Sequence, residues 1–237
     1  MKRNSWVLAG LIAVLSFVRL PSANAQVYIG QDYTVTGDQY YSILVGYSNE
    51  YDADHQVNGT SPTVTIDGAF FHGLLGVSAY NSSVVNANSL QIDGTLNFLA
   101  EDSSTINFNS QNITGAAAFK NGTVNLNGGS TLNGLYVTDS GTANLNNTIV
   151  ATKNQTNPGA VATALELHSS SHAVVSNSPL YADVNLYDNS SLIVSSGSIE
   201  GSLNVIGTST AQITDVFITA VFGPITMPVS LFKGTRG

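Results

Sequence analysis

A five-residue pattern of alternating aliphatic and polar residues recurs along the chain at nearly constant spacing. Its clearest copies are TINFN at 105–109, TVNLN at 123–127 and TANLN at 142–146. The equivalent aliphatic positions in all copies, clear and loose, are Val64, Val85, Ile106, Val124, Ala143, Val174, Leu192 and Ala211. The gaps between them are 21, 21, 18, 19, 31, 18 and 19 residues. Alternation predicts short strands with one buried face, and a constant period near 20 residues predicts stacked coils.

The repeat therefore predicts an all-β fold, a right-handed, single-stranded parallel β-helix (solenoid) of about eight coils. The hand is taken from the right-handed preference of parallel crossovers. Each coil has a second aliphatic contact, at Ile92, Ile113, Leu132, Leu180 or Ile199. The alternative is a β-sandwich, whose strands need not resemble one another at fixed spacing.

The predicted organisation has four parts. Residues 1–25 are a signal peptide, 26–62 an N-terminal cap, 63–215 the β-helix repeats, and 216–237 a C-terminal cap or tail. The one irregular gap in the repeat contains TKNQTNPG, which predicts an insertion loop at 151–163. The asparagine in the middle of each strand is expected to stack into a ladder of side-chain amides between coils.

The N-terminus has the pattern of a secretory signal. Lys2 and Arg3 precede an apolar run from Trp6 to Val18, and Ala23-Asn24-Ala25 offers the small residues that a signal peptidase reads, so cleavage is predicted after Ala25. The alternative is a membrane anchor, but the run is shorter than the roughly 20 residues that a spanning helix needs. The sequence predicts a secreted or cell-surface protein with no transmembrane segment in the mature chain.

Composition excludes several classes of partner. Charged residues are 9% of the chain. Four Lys and Arg and all fifteen Asp and Glu lie beyond residue 25, so the mature chain carries a formal charge near −11. A chain this acidic lacks the cluster of Lys and Arg side chains that binds nucleic acid or anionic lipid. With no cysteine, disulfides and thiolate metal sites are unavailable.

Candidate chemical groups are few, and each has a simpler structural interpretation. Asp67 and Asp93 could stack on adjacent coils, Asp183 and Asp188 are close in sequence, and His168 and His172 flank three serines. Residues 52–59, DADHQVNG, resemble a calcium loop but lack its glycine and glutamate positions. The sequence therefore predicts no catalytic residue, no cofactor and no metal ligand.

The tyrosines are unevenly distributed. Six of the ten lie between residues 26 and 57, outside the repeat. Because a solenoid needs a cover over its first coil, this segment is interpreted as a cap. The alternative is an aromatic patch that binds sugars.

Three segments carry a resemblance to known proteins: VTIDGAFFHGLLGVSAYNSSVV (64–85), GLYVTDSGTANL (134–145) and VNLYDNSSLIVSSGSIEGSLNV (184–205). They resemble bacterial secreted right-handed β-helix repeat proteins, above all the repeats of autotransporter passenger domains and of sorted surface proteins. The resemblance implies adhesion, matrix or surface display.

The expected function is that of a non-enzymatic exported structural or adhesive protein. It would present an extended surface to glycans, extracellular matrix or cell-surface polymers. One alternative is a carbohydrate-active β-helix enzyme, a polysaccharide lyase or hydrolase, which needs clustered acids. Another is an ice-binding solenoid, which needs a regular Thr-x-Thr ladder, and only Thr63 and Thr65 fit that pattern.

Overall fold

The computed structural model describes residues 26–46, 61–131, 133–150, 163–220 and 230–231. These residues form an all-β, parallel β-solenoid of about seven turns, with no helix among them. The predicted signal peptide and all of the predicted insertion loop except Thr163 lie outside the described residues. The strands are β1 (Gln26–Ile29), β2 (Tyr33–Gln39), β3 (Ser42–Val45), β4 (Thr63–Ala79), β5 (Val84–Ala100), β6 (Thr105–Ile113), β7 (Gly115–Ala118), β8 (Thr123–Thr131), β9 (Leu135–Val137), β10 (Thr142–Asn146), β11 (Ile149–Val150), β12 (Thr163–Leu167), β13 (His172–Ser176), β14 (Ser178–Leu180), β15 (Asp183–Leu186), β16 (Ser191–Val194), β17 (Gly197–Val205), β18 (Thr210–Ile213), β19 (Val216–Ala220) and β20 (Ser230–Leu231).

The predicted aliphatic column is confirmed, with one correction. Ile106 pairs with Val85 on one side and with Val124 on the other, and all three side chains are buried. The partner of Ala143, however, is Ala173 and not Val174. Since successive side chains on a strand point to opposite faces, this shift of one residue places Val174 on the outer face.

The second buried column also differs from prediction at one position. Ile113 pairs with Thr131, and Thr131 pairs with Val150. Leu132, the predicted member, lies outside the described residues. Thr131 is fully buried and its Oγ1 has no hydrogen-bond partner, so an otherwise aliphatic column contains one unsatisfied hydroxyl.

The core is a continuous stack of inward side chains from successive coils. Val, Ile, Leu and Ala dominate it, and Phe98 and Phe108 meet edge to face with ring centroids 4.5 Å apart. Each coil alone could not bury these side chains, because the neighbouring coil supplies the other half of every contact. Burial of the apolar column is therefore shared along the whole solenoid.

One corner of the coil repeats with the same backbone geometry. A residue with positive φ stands at the tip of the turn, and two positions later a buried serine or glycine lies directly before the next strand. The positive-φ residues of this corner are Asn81, Asp102, Lys120, Asp139, Ser169, Asp188 and Gly207. Asparagine, aspartate and glycine tolerate this conformation best, which accounts for most of the set.

The two ends contribute strands to the solenoid. Within the segment assigned to the N-terminal cap, β2 pairs in parallel with β4, and β1 pairs with β3. At the other end, β19 pairs in parallel with β17. The coil therefore includes residues that the sequence assigned to the caps.

Candidate functional site

The first strands of neighbouring coils in the middle of the solenoid present an uncharged polar surface to solvent. Three coils contribute the same outward triad, Thr-x-Asn-x-Asn, and β6, β8 and β10 pair in register so that like residues stand over like. We call this surface the amide face; its members are Thr105, Asn107, Asn109, Thr123, Asn125, Asn127, Thr142, Asn144 and Asn146. None of these side chains is charged.

The middle column of the amide face is a hydrogen-bonded ladder, as predicted. Asn107 Nδ2 donates to Asn86 Oδ1 at 2.8 Å, Asn125 Nδ2 to Asn107 Oδ1 at 2.7 Å, and Asn144 Nδ2 to Asn125 Oδ1 at 2.8 Å. In the outer column, Asn109 Nδ2 donates to Asn88 Oδ1 at 2.8 Å. These bonds hold the amides in one orientation, so the face is preorganised.

The ladder has defined ends. The residue that pairs with Asn86 on the preceding coil is Thr65, and the residue that pairs with Asn144 on the following coil is Val174. Ile193 continues the outward column after Val174 and is partly exposed. The polar part of the column thus spans four coils, from Asn86 to Asn144, and then becomes apolar.

A second outward feature is a column of rings near the repeated corner. We call it the ring column: Phe119, Tyr136, His168 and Tyr187, whose successive ring centroids lie 5.7, 5.3 and 4.5 Å apart. His168 and Tyr187 are stacked at an interplanar angle of 14°. Because inner members of the column have rings on both sides, their faces contact protein and mainly their edges are free.

Glu166 adds negative charge beside the ring column. Its Oε1 lies 2.7 Å from His168 Nε2. Burial, and then the charge of Glu166, raise the pKa of Tyr136 above the ordinary value, and the same two causes in the same order raise the pKa of Tyr187. Both phenols therefore stay neutral to a higher pH than an exposed tyrosine does.

Lys120 carries the single Lys or Arg charge among the described residues. Its Nζ lies 2.8 Å from Glu101 Oε1 and 2.8 Å from Asp102 Oδ1. Hydrogen bonds to Asp102 and then to Glu101 raise its pKa further above the ordinary value. A lysine held in this way at the surface stabilises the corner modestly.

The acidic pairs suggested by the sequence are not brought together as expected. Asp67 pairs with Ser89, and Asp93 pairs with His72, because paired residues of these two coils are 21 or 22 apart in sequence, whereas Asp67 and Asp93 are 26 apart. Asp183 Oδ1 accepts from the backbone N–H of Ser202 at 2.7 Å, and Asp188 Oδ2 accepts from that of Ser169 at 3.1 Å. These last two carboxylates hold the backbone of adjacent coils.

The two histidines around the serine run also have separate partners. His168 contacts Glu166, whereas His172 Nδ1 lies 2.7 Å from Ser191 Oγ. Within the described ranges no group of three or more His, Asp and Glu side chains has a geometry suited to a metal ion. The calcium-like segment 52–59 lies outside those ranges.

Sequence reasoning missed the ring column, although a signal was present. Three of its members come directly before the positive-φ residue of a corner: Phe119, His168 and Tyr187. Aligning the repeats on their corners, instead of on their strands, would have shown these rings one above another.

Comparison with protein-family models, with curated proteins and with solved structures finds no significant match for this chain. The part of the chain that the structure describes contains no helix of the length and apolarity needed to span a bilayer. Functional inference therefore depends on the surfaces themselves.

Proposed function

We propose that this chain is a non-enzymatic, exported adhesive protein whose amide face binds extracellular glycans. The observation that carries the proposal is the ladder of Asn86, Asn107, Asn125 and Asn144, which fixes a flat and uncharged array of amides in one orientation. Matrix and cell-surface polymers rich in hydroxyl and acetamido groups fit such an array.

The ladder leaves hydrogen-bonding capacity unused. A side-chain amide has two N–H donors and two acceptor lone pairs. Asn107 uses one donor toward Asn86 and one lone pair toward Asn125. One donor and one lone pair remain, and a sugar hydroxyl can satisfy both since it donates and accepts.

The spacing of the array favours a polymer over a single sugar. Neighbouring coils lie roughly 4.8 Å apart, and outward residues on one strand about 6.8 Å apart. Each exposed hydrogen bond contributes little, because it replaces a bond to water. Many such bonds made at once, on amides that lose little freedom, give useful affinity.

Charge narrows the class of partner. The amide face is neutral, but the chain as a whole is strongly acidic. A neutral glycan pays no electrostatic penalty on approach, whereas a polyanionic one is repelled at low ionic strength. We therefore expect neutral polysaccharides to bind better than acidic ones.

The test is retention of residues 26–237 on insoluble neutral polysaccharides and on a glycan array. The double variant Asn127→Arg/Asn146→Arg places two long charged side chains on exposed positions of the amide face and leaves the ladder intact. We expect it to lower retention by about tenfold or more. The matched control, Ile149→Arg/Ser198→Arg, adds the same charge to a neighbouring outward column and should bind as the wild type does.

Two results would overturn the proposal. One is equal retention of both double variants, which would place binding elsewhere. The other is release of soluble oligosaccharides by the wild type, since an adhesive protein binds without turnover.

A carbohydrate-active enzyme is the second candidate, favoured by the contact between Glu166 and His168 in the ring column. A carboxylate paired with an imidazole can hold or deliver a proton. Loss of oligosaccharide release in Glu166→Gln, with folding unchanged, would support this candidate.

A further inference from the structure

A second group of rings lies at the N-terminal end of the solenoid, round a corner of the coil from the amide face. It is built from three successive coils: Asp38 on β2 with Tyr40 directly after that strand, Phe70 and His72 on β4, and Asp93 on β5. Asp38 pairs with Phe70, and His72 pairs with Asp93. We call these five residues the Tyr40 platform.

His72 is the fixed centre of the platform. Its ring stacks on Tyr40 with centroids 4.7 Å apart at 10°, and Phe70 meets it edge to face at 4.1 Å. His72 Nε2 lies 3.4 Å from Asp38 Oδ1, and Nδ1 lies 4.0 Å from Asp93 Oδ2. Held by rings and carboxylates together, this imidazole positions the Tyr40 ring in front of it.

Tyr40 differs from Tyr136 and His168, the inner rings of the ring column, in having a ring neighbour on one face only. Tyr136 lies between Phe119 and His168, whereas the ring contacts of Tyr40 lie on the His72 side. Among the described strands, β2 pairs with β4 alone, and Tyr40 is 56% exposed. The aromatic face turned away from His72 is therefore available to a ligand.

The rim of the platform consists of hydrogen-bond acceptors. The side chains of Asp38 and Asp93 are 63% and 79% exposed. Lys120, the one Lys or Arg in the described ranges, is held by Glu101 and Asp102. No lysine or arginine in those ranges therefore neutralises the two platform carboxylates.

We propose that the Tyr40 platform is a binding site for an uncharged pyranose ring. The apolar C–H face of the sugar packs on the open face of Tyr40, and its hydroxyls donate to Asp38 and Asp93. A charge-assisted hydrogen bond to a carboxylate is stronger than a neutral one. Uronic acids and sulfated sugars are excluded, because their charge has the same sign as the rim.

This inference rests on the proposed function in that it names the ligand class, but it uses different residues. It gives the protein two contact areas for one polymer, an extended array and an end site. Linking the two raises affinity without any new contact.

The experiment is a titration of residues 26–237 with cellohexaose, mannohexaose and hexagalacturonate, followed by calorimetry and by NMR of labelled tyrosine rings. We expect at least one neutral hexasaccharide to bind and to shift the Tyr40 ring resonances. Magnetisation should also be transferred from the Tyr40 ring to the bound sugar. Hexagalacturonate should show none of these three effects.

Variants assign the roles. Tyr40→Ala should lower affinity by about tenfold, and Tyr40→Phe, which keeps the ring, should stay within about twofold of wild type. Asp38→Asn/Asp93→Asn should lower affinity by about tenfold and admit hexagalacturonate. Tyr187→Ala, a ring removed from the ring column, is the matched control and should bind normally.

Each remaining outcome contradicts the inference. If Tyr40→Ala binds as the wild type does, or if the Tyr40 ring resonances stay unchanged during a titration that shows binding, the platform is only a structural stack. If that result accompanies loss of binding in Asn127→Arg/Asn146→Arg, the proposed function stands and the platform inference alone fails. If the wild type binds no polysaccharide and no hexasaccharide, both fail. The ring-resonance readout uses the wild type, so it holds even if Tyr40→Ala does not fold.

Discussion

Asn125 and Asn107 lie side by side on adjacent coils, eighteen residues apart in sequence, and Asn125 Nδ2 donates to Asn107 Oδ1 at 2.7 Å. Asn125 also accepts from Asn144 Nδ2, so its amide joins three coils. A polar side chain serves here as part of the framework of the solenoid as well as part of its surface.

Replacing Asn125 should therefore destabilise the fold. Asn125→Ala removes two ladder hydrogen bonds on a half-buried surface, and we expect the free energy of unfolding to fall by about 1–2 kcal/mol. Urea unfolding followed by circular dichroism measures this. Asn127→Ala, exposed two residues along the same strand, should change stability by less than about 0.5 kcal/mol. Equal effects at the two positions would show that the ladder does not stabilise the coil.

Thr131→Val should stabilise the protein. The valine keeps the shape of threonine and removes a buried hydroxyl that has no partner, which we expect to gain about 1 kcal/mol or more. Thr148→Val is the matched control, because Thr148 is equally buried but its Oγ1 donates to the Leu126 carbonyl at 3.1 Å. The midpoint temperature of thermal unfolding should rise in Thr131→Val and fall in Thr148→Val. A lower midpoint in both variants would mean that the Thr131 hydroxyl has a hydrogen-bond partner in solution.

Gly197→Ala should cost far more than Gly68→Ala. Gly197 has φ of +125°, and a Cβ there would lie 2.5 Å from the Ser178 carbonyl oxygen of the neighbouring coil, so we expect a loss of about 2–4 kcal/mol. Gly68 also has positive φ, but a Cβ there meets open space, so its variant bears only backbone strain of about 1–2 kcal/mol. Denaturation midpoints of the two variants make the comparison. Similar losses would show that close approach between coils is unimportant.

Alkaline titration should separate Tyr136 and Tyr187 from the exposed tyrosines. Their pKa values are raised above the ordinary 10.0 by burial and by Glu166, so the neutral phenols are favoured in the folded state. The resulting stabilisation is present below pH 10 and is lost as pH rises through the raised pKa values. Phenolate absorbance should show a late-titrating fraction that shrinks in Tyr136→Phe and in Tyr187→Phe. Titration of the late fraction at the ordinary pKa would contradict the burial of these rings.

The coil and its ladder could be predicted from sequence because two independent patterns indicate the same register. One is the alternation of apolar and polar residues along each strand, and the other is the recurrence of asparagine at Asn107, Asn125 and Asn144. Where the pattern weakens, register is lost. At Ala173-Val174-Val175 three apolar residues follow one another, so alternation alone does not say which of them faces inward. The register shift around Asp67 likewise has no signature in a single sequence.

The candidate sites were harder to predict than the fold, for a physical reason. The Tyr40 platform joins Tyr40, His72 and Asp93, which differ in type from coil to coil and therefore do not form a repeat. Thr131 was missed because an aliphatic neighbour, Leu132, fitted the expected column better. Such positions depend on how far the chain advances in each corner, which the side chains of the strands do not encode.

Each hydrogen bond in the ladder from Asn86 to Asn144 runs from a donor on one coil to an acceptor on the coil nearer the N-terminal end of the solenoid. The surface that these amides form therefore has a direction along the axis of the solenoid. A linear polymer laid along the axis presents its linkages in one order or in the reverse, and the two arrangements are not equivalent on such a surface. Polarity of attachment, with the reducing end held toward one terminus of the protein, would follow from hydrogen-bond direction alone.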